Sequence, residues 1–377
     1  GGNTIFGNGG GGGGGHGGAG GSGQQQPPIG GLGGSSNDDV TVPVDLGSGG
    51  GSGFTGAGGA GGGGVILTVG GALTVNGLIS ASGLPGQALP SGSGLGGGGG
   101  GAGGTINLTA ASLSGPGVLQ ANGGAGGSGS SPGGGGGGGR IAVIVTGMDN
   151  SSLNMQASNG STGGGGAANG GAGVISLKTA GSANYSLTIG NLSLTPQAAT
   201  SIQGTPLTFS TVALNNSIVV FDAGSNVTIN SLIAAGGASI TGNNFFLGNA
   251  TPLVVRPGGS LQLTAGKLTF PTGSPIEVQN GGSLAFLVGA NSGGALIVRA
   301  GGTFRQLNTQ PISFDSVLVE PGGLLTHTAN SSARSSVLNL SVSGDFTLQA
   351  GATIAVDGLG YAGSFSGGNK GFGPGAG

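Results

Sequence analysis

The sequence predicts an all-β fold, a parallel β-helix (β-solenoid), with glycine-rich, polyglycine-II-like insertions packed alongside the coil. Three observations carry the prediction. A unit of glycine run, apolar strand, turn and second short strand recurs as GGVILTVGGALTVNGLISASG, GGTINLTAASLSGPGVLQANG and GGRIAVIVTGMDNSSLNMQASNG, with a weaker fourth copy, AGVISLKTAGSANYSLTIGN. A rung of alternating apolar residues around a glycine turn recurs through the second half. Glycine supplies 101 of 377 residues without a G-X-Y triplet period, which excludes collagen.

Aligned on Val65, Ile106, Ile141 and Ile175, the four copies lie 41, 35 and 34 residues apart. A period of this size marks stacked repeats. Strands are expected at Val65–Val69, Ile106–Thr109, Ile141–Val145 and Ile175–Lys178. Ile79, Leu119 and Met155 are expected to stack in the second strands. Glycine runs at Gly9–Gly15, Gly61–Gly64, Gly96–Gly101, Gly133–Gly139 and Gly163–Gly166 separate these strands. Two readings of the runs stay open. Extended threefold glycine strands, side by side, would satisfy one another's backbone groups in a bundle beside the coil. Otherwise the runs are loosely held surface loops.

In the second half the rungs are VVFDAGSNVTI, LVVRPGGSLQL, IEVQNGGSLAF, LIVRAGGTFRQ, VLVEPGGLLTH and FTLQAGATIAV. Their polar column is Asp222, Arg256, Gln279, Arg299, Glu320 and Gln349. The residue before it is Phe221, Val255, Val278, Val298, Val319 or Leu348. Five residues after it comes Val227, Leu261, Leu284, Phe304, Leu325 or Ile354. The same residue class at the same phase, always in one chain direction, specifies parallel coils rather than hairpins. The expected organisation is one continuous solenoid: residues 1–173 carry the poly-glycine insertions, and residues 174–377 are regular coils ending in a glycine-rich segment.

Hydrophobic residues make up 35% of the chain and charged residues 5%, the reverse of a disordered composition. The net charge of −2 gives no basic footprint for nucleic acid. No apolar run is long enough to span a membrane as a helix. Cysteine is absent, so no disulfide framework or thiolate site exists.

Candidate chemistry is sparse. Ten acidic residues show no recurring pair suited to acid–base work: Asp38 and Asp39 are adjacent and would face opposite ways on a strand, and Asp45, Asp149, Asp222, Glu277, Asp315, Glu320, Asp345 and Asp357 are dispersed. The expectation is no enzyme, no catalytic residue, no cofactor and no metal, since the glycine runs carry no repeated Asp. His16 and His327 are lone histidines, the latter on an inward register and read as an end-of-core residue. Arg140, after seven glycines, either donates to carbonyls of adjacent glycine strands or is a solvated corner. Arg299 and Glu320 share a phase on successive coils and are expected to pair. Asn-x-Ser/Thr triplets at Asn107, Asn150, Asn226 and Asn339 are what so Asn-, Ser- and Thr-rich a chain yields by chance.

The succession GGGGVILTVGGALTVNGLISASG, GGGGGGAGGTINLTAASLSGPGVLQANGGAGGSG, GGGGGGGRIAV resembles the glycine-rich parallel β-helix modules of very large secreted bacterial surface proteins, over about residues 40–175. GGRI after a long glycine run is its most specific element. The resemblance implies a secreted, extracellular or cell-surface location and no enzymatic role. It also implies that a segment like Ile354–Gly377 precedes one like the first fifty residues. The chain then reads as circularly permuted: one period of a longer tandem protein, or a subunit whose C-terminal end completes its neighbour.

The expected function is therefore structural, a subunit of an extracellular filament or surface fibre, homopolymeric and joined head to tail. No polar cap is apparent at either end. The alternative is an adhesin stalk or surface-binding module displaying glycine-rich loops to a cell surface or glycan. That reading needs an aromatic tip, and the chain has no Trp and only Tyr185 and Tyr361. Ice binding ranks lower, because the threonines of the LTV and LTA strands do not hold one register.

Overall fold

A computed structural model describes residues 9–24, 30–92, 94–190, 194–203, 207–222, 224–248, 253–363 and 371–374. Every regular element among them is a β-strand, and all but one of the strand pairs given below are parallel. The chain is an all-β protein of parallel, solenoid-type coils. It divides into two compact units, Gly1–Gly204 with Thr208–Asp222, and Thr205–Leu207 with Ala223–Gly377. Part of the proposed permuted leader, residues 364–370 and 375–377, lies outside the described residues.

In the first unit Gly64–Thr74, Thr105–Gly115, Arg140–Val145 and Val174–Lys178 stack in parallel, with Val65, Ile106, Ile141 and Ile175 in one column. Leu78–Ser80, Val118–Gln120 and Asn154–Gln156 form a narrower wall, with Ile79, Leu119 and Met155 in one column. Ile106, Leu108, Leu113, Leu119, Ile141 and Val143 fill the core. Like stacks on like because each coil repeats the last at the strand spacing of about 4.8 Å. The outer face is covered too. Thr105 Oγ1 donates to Asp45 O at 2.6 Å and Asn107 Nδ2 to Pro43 O at 3.1 Å, so the side chain of the Asn107 triplet is buried.

The fourth copy departs from the expected stack. Tyr185–Gly190 folds back antiparallel on Val174–Lys178, with Ile175 opposite Thr188. No glycine run separates these two strands. Instead Gly181 adopts a left-handed φ of 79° and Ser182 N donates to Thr179 O at 3.1 Å, which closes a short turn. Beyond it, Phe209–Asn215 lies parallel to Tyr185–Gly190, and Thr200–Ile202 parallel to Ser217–Phe221.

The glycine runs form the bundle, except Gly163–Gly166, which is a surface turn with Gly166 at a left-handed φ of 84°. Along residues 97–104 successive amides turn to three neighbours in rotation: 97, 100 and 103 donate to Ser131, Gly134 and Gly137; 98, 101 and 104 to Gln87, Leu84 and Ala81; 99 and 102 to Gly51 and Ser48. The carbonyls of the same strand turn to three further segments: Gly97 and Gly100 accept from Gly11 and Gly14, Gly98 and Gly101 from Gly127 and Gly124, Gly99 and Ala102 from Gly59 and Gly62. Return to the same neighbour every third residue is the periodicity of a polyglycine-II-type strand. Residues 133–139 repeat it, donating in turn to 127/124/121, 11/14 and 168/171. Ordering one backbone residue costs roughly 1–2 kcal/mol, whereas one hydrogen bond returns about 1 kcal/mol net. A lone glycine strand therefore stays disordered. A strand bonded through both groups and packed on all sides does not.

The second unit is built from side chains. Gly237–Leu247, Ser260–Thr269, Ser283–Ser292, Thr303–Gln306, Leu324–His327 and Thr353–Ile354 make one parallel wall. Leu232–Ala234, Leu253–Val255, Pro275–Val278, Ala295–Val298, Ser316–Val319 and Phe346–Leu348 make another. Val255, Val278, Val298, Val319 and Leu348 share one column, and Leu261, Leu284, Phe304, Leu325 and Ile354 another, as read from the sequence. The first rung, around Asp222, does not join them. Val227 pairs with Phe245, and the columns continue instead through Ala234 and Ala238. Phe304 packs edge-on against Phe286 at 5.4 Å and Phe314 at 5.7 Å. Between the walls the first glycine of each turn is left-handed, at Gly258 (69°), Gly281 (67°), Gly301 (69°), Gly322 (80°) and Gly351 (87°). With Pro257 or Pro321 ahead of two of them, the residue pattern is that of a type II turn.

Candidate assembly edges and a buried charge cluster

Among the described residues two edges are left unclosed. Gly64–Thr74 pairs only with the coil after it, and its burial differs sharply from that coil. Leu67 is 36% exposed, while Leu108, its partner in the next coil, is 1% exposed. Ile66, Leu78, Val42, Val44 and Leu46 are exposed beside it. In the second unit the final strands, Phe346–Leu348 and Thr353–Ile354, are exposed throughout, leaving Phe346, Leu348, Ile354 and Val356 open to solvent. An unpaired strand edge offers backbone donors and acceptors to another strand, and natural proteins normally blunt it with charge or proline. Neither edge strand carries a charged residue.

Behind the first wall lies a charge cluster that the sequence did not suggest. His16 is fully buried, with Nδ1 2.9 Å from Gly103 O and Nε2 3.2 Å from Asp38 Oδ2. Its ring stands where the next threefold amide would be, since Gly11 and Gly14 donate to Gly97 and Gly100. Asp38 is not on a strand. It sits at a left-handed φ of 74° and gathers the amides of Asp39, Val44 and Asp45 at 2.8–2.9 Å. Burial pushes its carboxyl up, but those amides and the His16 ring more than offset this and hold it below its usual value. Asp39 is also held low: burial raises it, while Thr41, the Val42 amide and the Arg140 charge lower it. The two carboxylates therefore serve one turn rather than facing opposite ways.

Arg140 is 1% exposed and its Nε donates to Asn37 O at 2.9 Å. It is not a solvated corner, and the carbonyl it reaches belongs to the turn before Asp38 rather than to a glycine strand. Its terminal nitrogens Nη1 and Nη2 are buried without a hydrogen-bond partner. Burial draws the guanidinium down to about 10, against the pull of Asp38 and Asp39. The arrangement is a structural clamp between glycine bundle and turn.

Arg299 pairs with Glu320 as expected, and with Glu277 at 2.8 Å as well, so one guanidinium links three coils. Glu277 was missed because it sits two residues ahead of the polar column, and Arg299 reaches it diagonally. His327 is nearly buried at the end of its strand, with Nδ1 2.8 Å from Thr328 O. Among the described residues no group of three or more His, Cys, Asp or Glu is placed to hold a metal ion, and no helix is long and apolar enough to cross a membrane. Comparison with protein-family models, curated proteins and solved structures finds no match for this chain.

Proposed function

We propose that the chain is a structural, non-catalytic subunit of an extracellular filament or surface fibre, assembling head to tail through its β-coil ends. The observation that carries this reading is the pair of uncapped apolar edges, summarised by Leu67 at 36% exposure beside Leu108 at 1%. Low charge favours close approach of neighbours, and the glycine bundle stiffens one side of the coil. The likeness of residues 40–175 to glycine-rich modules of secreted bacterial surface proteins supports the location. Negative-stain microscopy of the native material tests the reading: long fibres are expected, and monomers alone with free ends would overturn it.

A second reading, a stalk or surface-binding module, is favoured by one feature of the second unit. Asn226, Thr228, Asn244, Phe246, Lys267 and Thr269 line an open groove of about 260 Å³. Phe246 is 43% exposed there, an apolar ring flanked by amide, hydroxyl and ammonium groups suited to a sugar. Retention of the chain on glycan-coated beads, lost in Phe246→Ala, would favour it.

A further inference from the structure

Resting on the end-to-end reading, the chemistry of the joint can be specified from one column of glycines. Gly63, Gly104, Gly139 and Gly173 stand in register, each one residue before the aligned Gly64, Thr105, Arg140 and Val174. The first three carbonyls accept from the following coil: Gly63 O from Thr105 N at 3.1 Å, Gly104 O from Arg140 N at 2.9 Å, Gly139 O from Val174 N at 3.1 Å. A Cβ added to Gly104 would overlap the Gly63 oxygen. One added to Gly139 would overlap the Gly104 oxygen, and one added to Gly173 the Gly139 oxygen. The backbone of the preceding coil thus explains three of the four glycines.

Gly63 has no such explanation among the described residues. Nothing lies within 4 Å of where its Cβ would stand, and its φ is not left-handed. Gly77 repeats the case: its counterpart Gly117 would press on the Gly77 and Val75 carbonyls at 2.6 Å, whereas Gly77 itself meets nothing. At both positions the side filled elsewhere in the column by the preceding coil's backbone is open space.

We propose that the slots at Gly63 and Gly77 seat the C-terminal edge of a second copy of this chain. That edge offers what the slots lack. In the second unit Ser283, Thr303, Leu324 and Thr353 donate to the carbonyls of Gly259, Gly282, Gly302 and Gly323, and no described coil follows to use the next carbonyl in that column, at Ala352. The same edge exposes Phe346, Leu348 and Ile354 to meet Ile66, Leu67 and Leu78. Gly360 and Gly363, just beyond it, also have nothing within 4 Å of their Cβ positions. Backbone and apolar surface match between the two free edges of one sequence.

The test uses the full chain. Gly63→Val and Leu78→Asp fill or charge the edge at sites open to solvent, so circular dichroism and the melting temperature should match the parent. The critical concentration for fibre formation should rise by roughly tenfold or more. Fibres formed as readily by both folded variants would overturn the joint while leaving the filament reading standing. A parent chain that forms no fibres would overturn both. Because the chain has no cysteine, a short bis-maleimide identifies the occupant. Leu78→Cys with Leu348→Cys should give a ladder of multimers and Leu78→Cys alone none. Dimers from Leu78→Cys alone would mean edge-to-same-edge contact and overturn the proposal.

Discussion

The two units stack coils by opposite means. In the second unit, side chains do the packing: valine on valine and leucine on phenylalanine down two columns, with glycine mainly at the turns and at a few mid-strand positions such as Gly266 and Gly289. In the first unit's bundle the backbone packs on itself, and glycine is required at positions such as Gly99, Gly101 and Gly136, where a Cβ would enter a neighbouring carbonyl. The difference concerns tolerance. A side-chain core yields a little when one methylene is lost or gained. A backbone lattice has no soft part to yield.

The largest expected effect follows directly. Gly136 lies mid-run, where a Cβ would overlap Gly101 O, and its amide and carbonyl bond Gly124 and Gly160. Gly136→Val should destabilise the first unit by about 4 kcal/mol or more. Hydrogen exchange should show protection lost across residues 96–104 and 133–139 but kept in the second unit. Retained protection in the runs would mean the glycines are loops after all.

Much of this contrast was legible in the sequence. The columns through Val65 and Ile79 fell in the observed register, because a β-coil converts sequence period into spatial alignment without intermediate steps. Five of the six second-half rungs did so as well. The first failed because Ala234 and Ala238 occupy positions where the other coils carry large apolar residues. The turn sequence around Asp222 imitated the missing rung. The hairpin at Thr179–Asn184 was hidden because repeat alignment records residue class and not chain direction. The His16–Asp38 contact spans 22 residues through a left-handed turn, and no local pattern announces it. What sequence conveyed was translation along the coil; what it withheld was the path of the irregular segments.

Arg140 sharpens the comparison, since it is the one large charged side chain buried against the bundle. Arg140→Met removes the hydrogen bond to Asn37 O and should cost about 2 kcal/mol, the scale for a hydrogen bond made by a charged group, seen as a lower urea midpoint for the first unit. Its pH dependence has a definite sign. Asp38 and Asp39 are held below their usual values, so the stability they contribute is present above the unfolded pKa of about 4 and is lost as pH falls through their folded values. Asp38→Asn should flatten the acid limb of a stability–pH curve. An unchanged limb would remove Asp38 from the clamp.

The second unit should respond far less to comparable changes. Gly281 is left-handed at 67° but its Cβ would approach only Gly258 N, at 3.8 Å, so Gly281→Ala meets strain without overlap. A loss of about 1 kcal/mol is expected, read as a small fall in melting temperature. Arg299 lies lower still. Its side chain is 40% exposed, and exposed pairs contribute about 0–1 kcal/mol. Although it bridges Glu277 and Glu320, the columns beneath it, Val278, Val298 and Val319, already fix the register. Arg299→Ala should therefore lower stability by less than about 1 kcal/mol, and the deficit should shrink further in 0.5 M salt. A salt-independent loss several times larger would place the register information in the ion ladder, and the second unit would then hold its coils by charge as well as by side-chain packing.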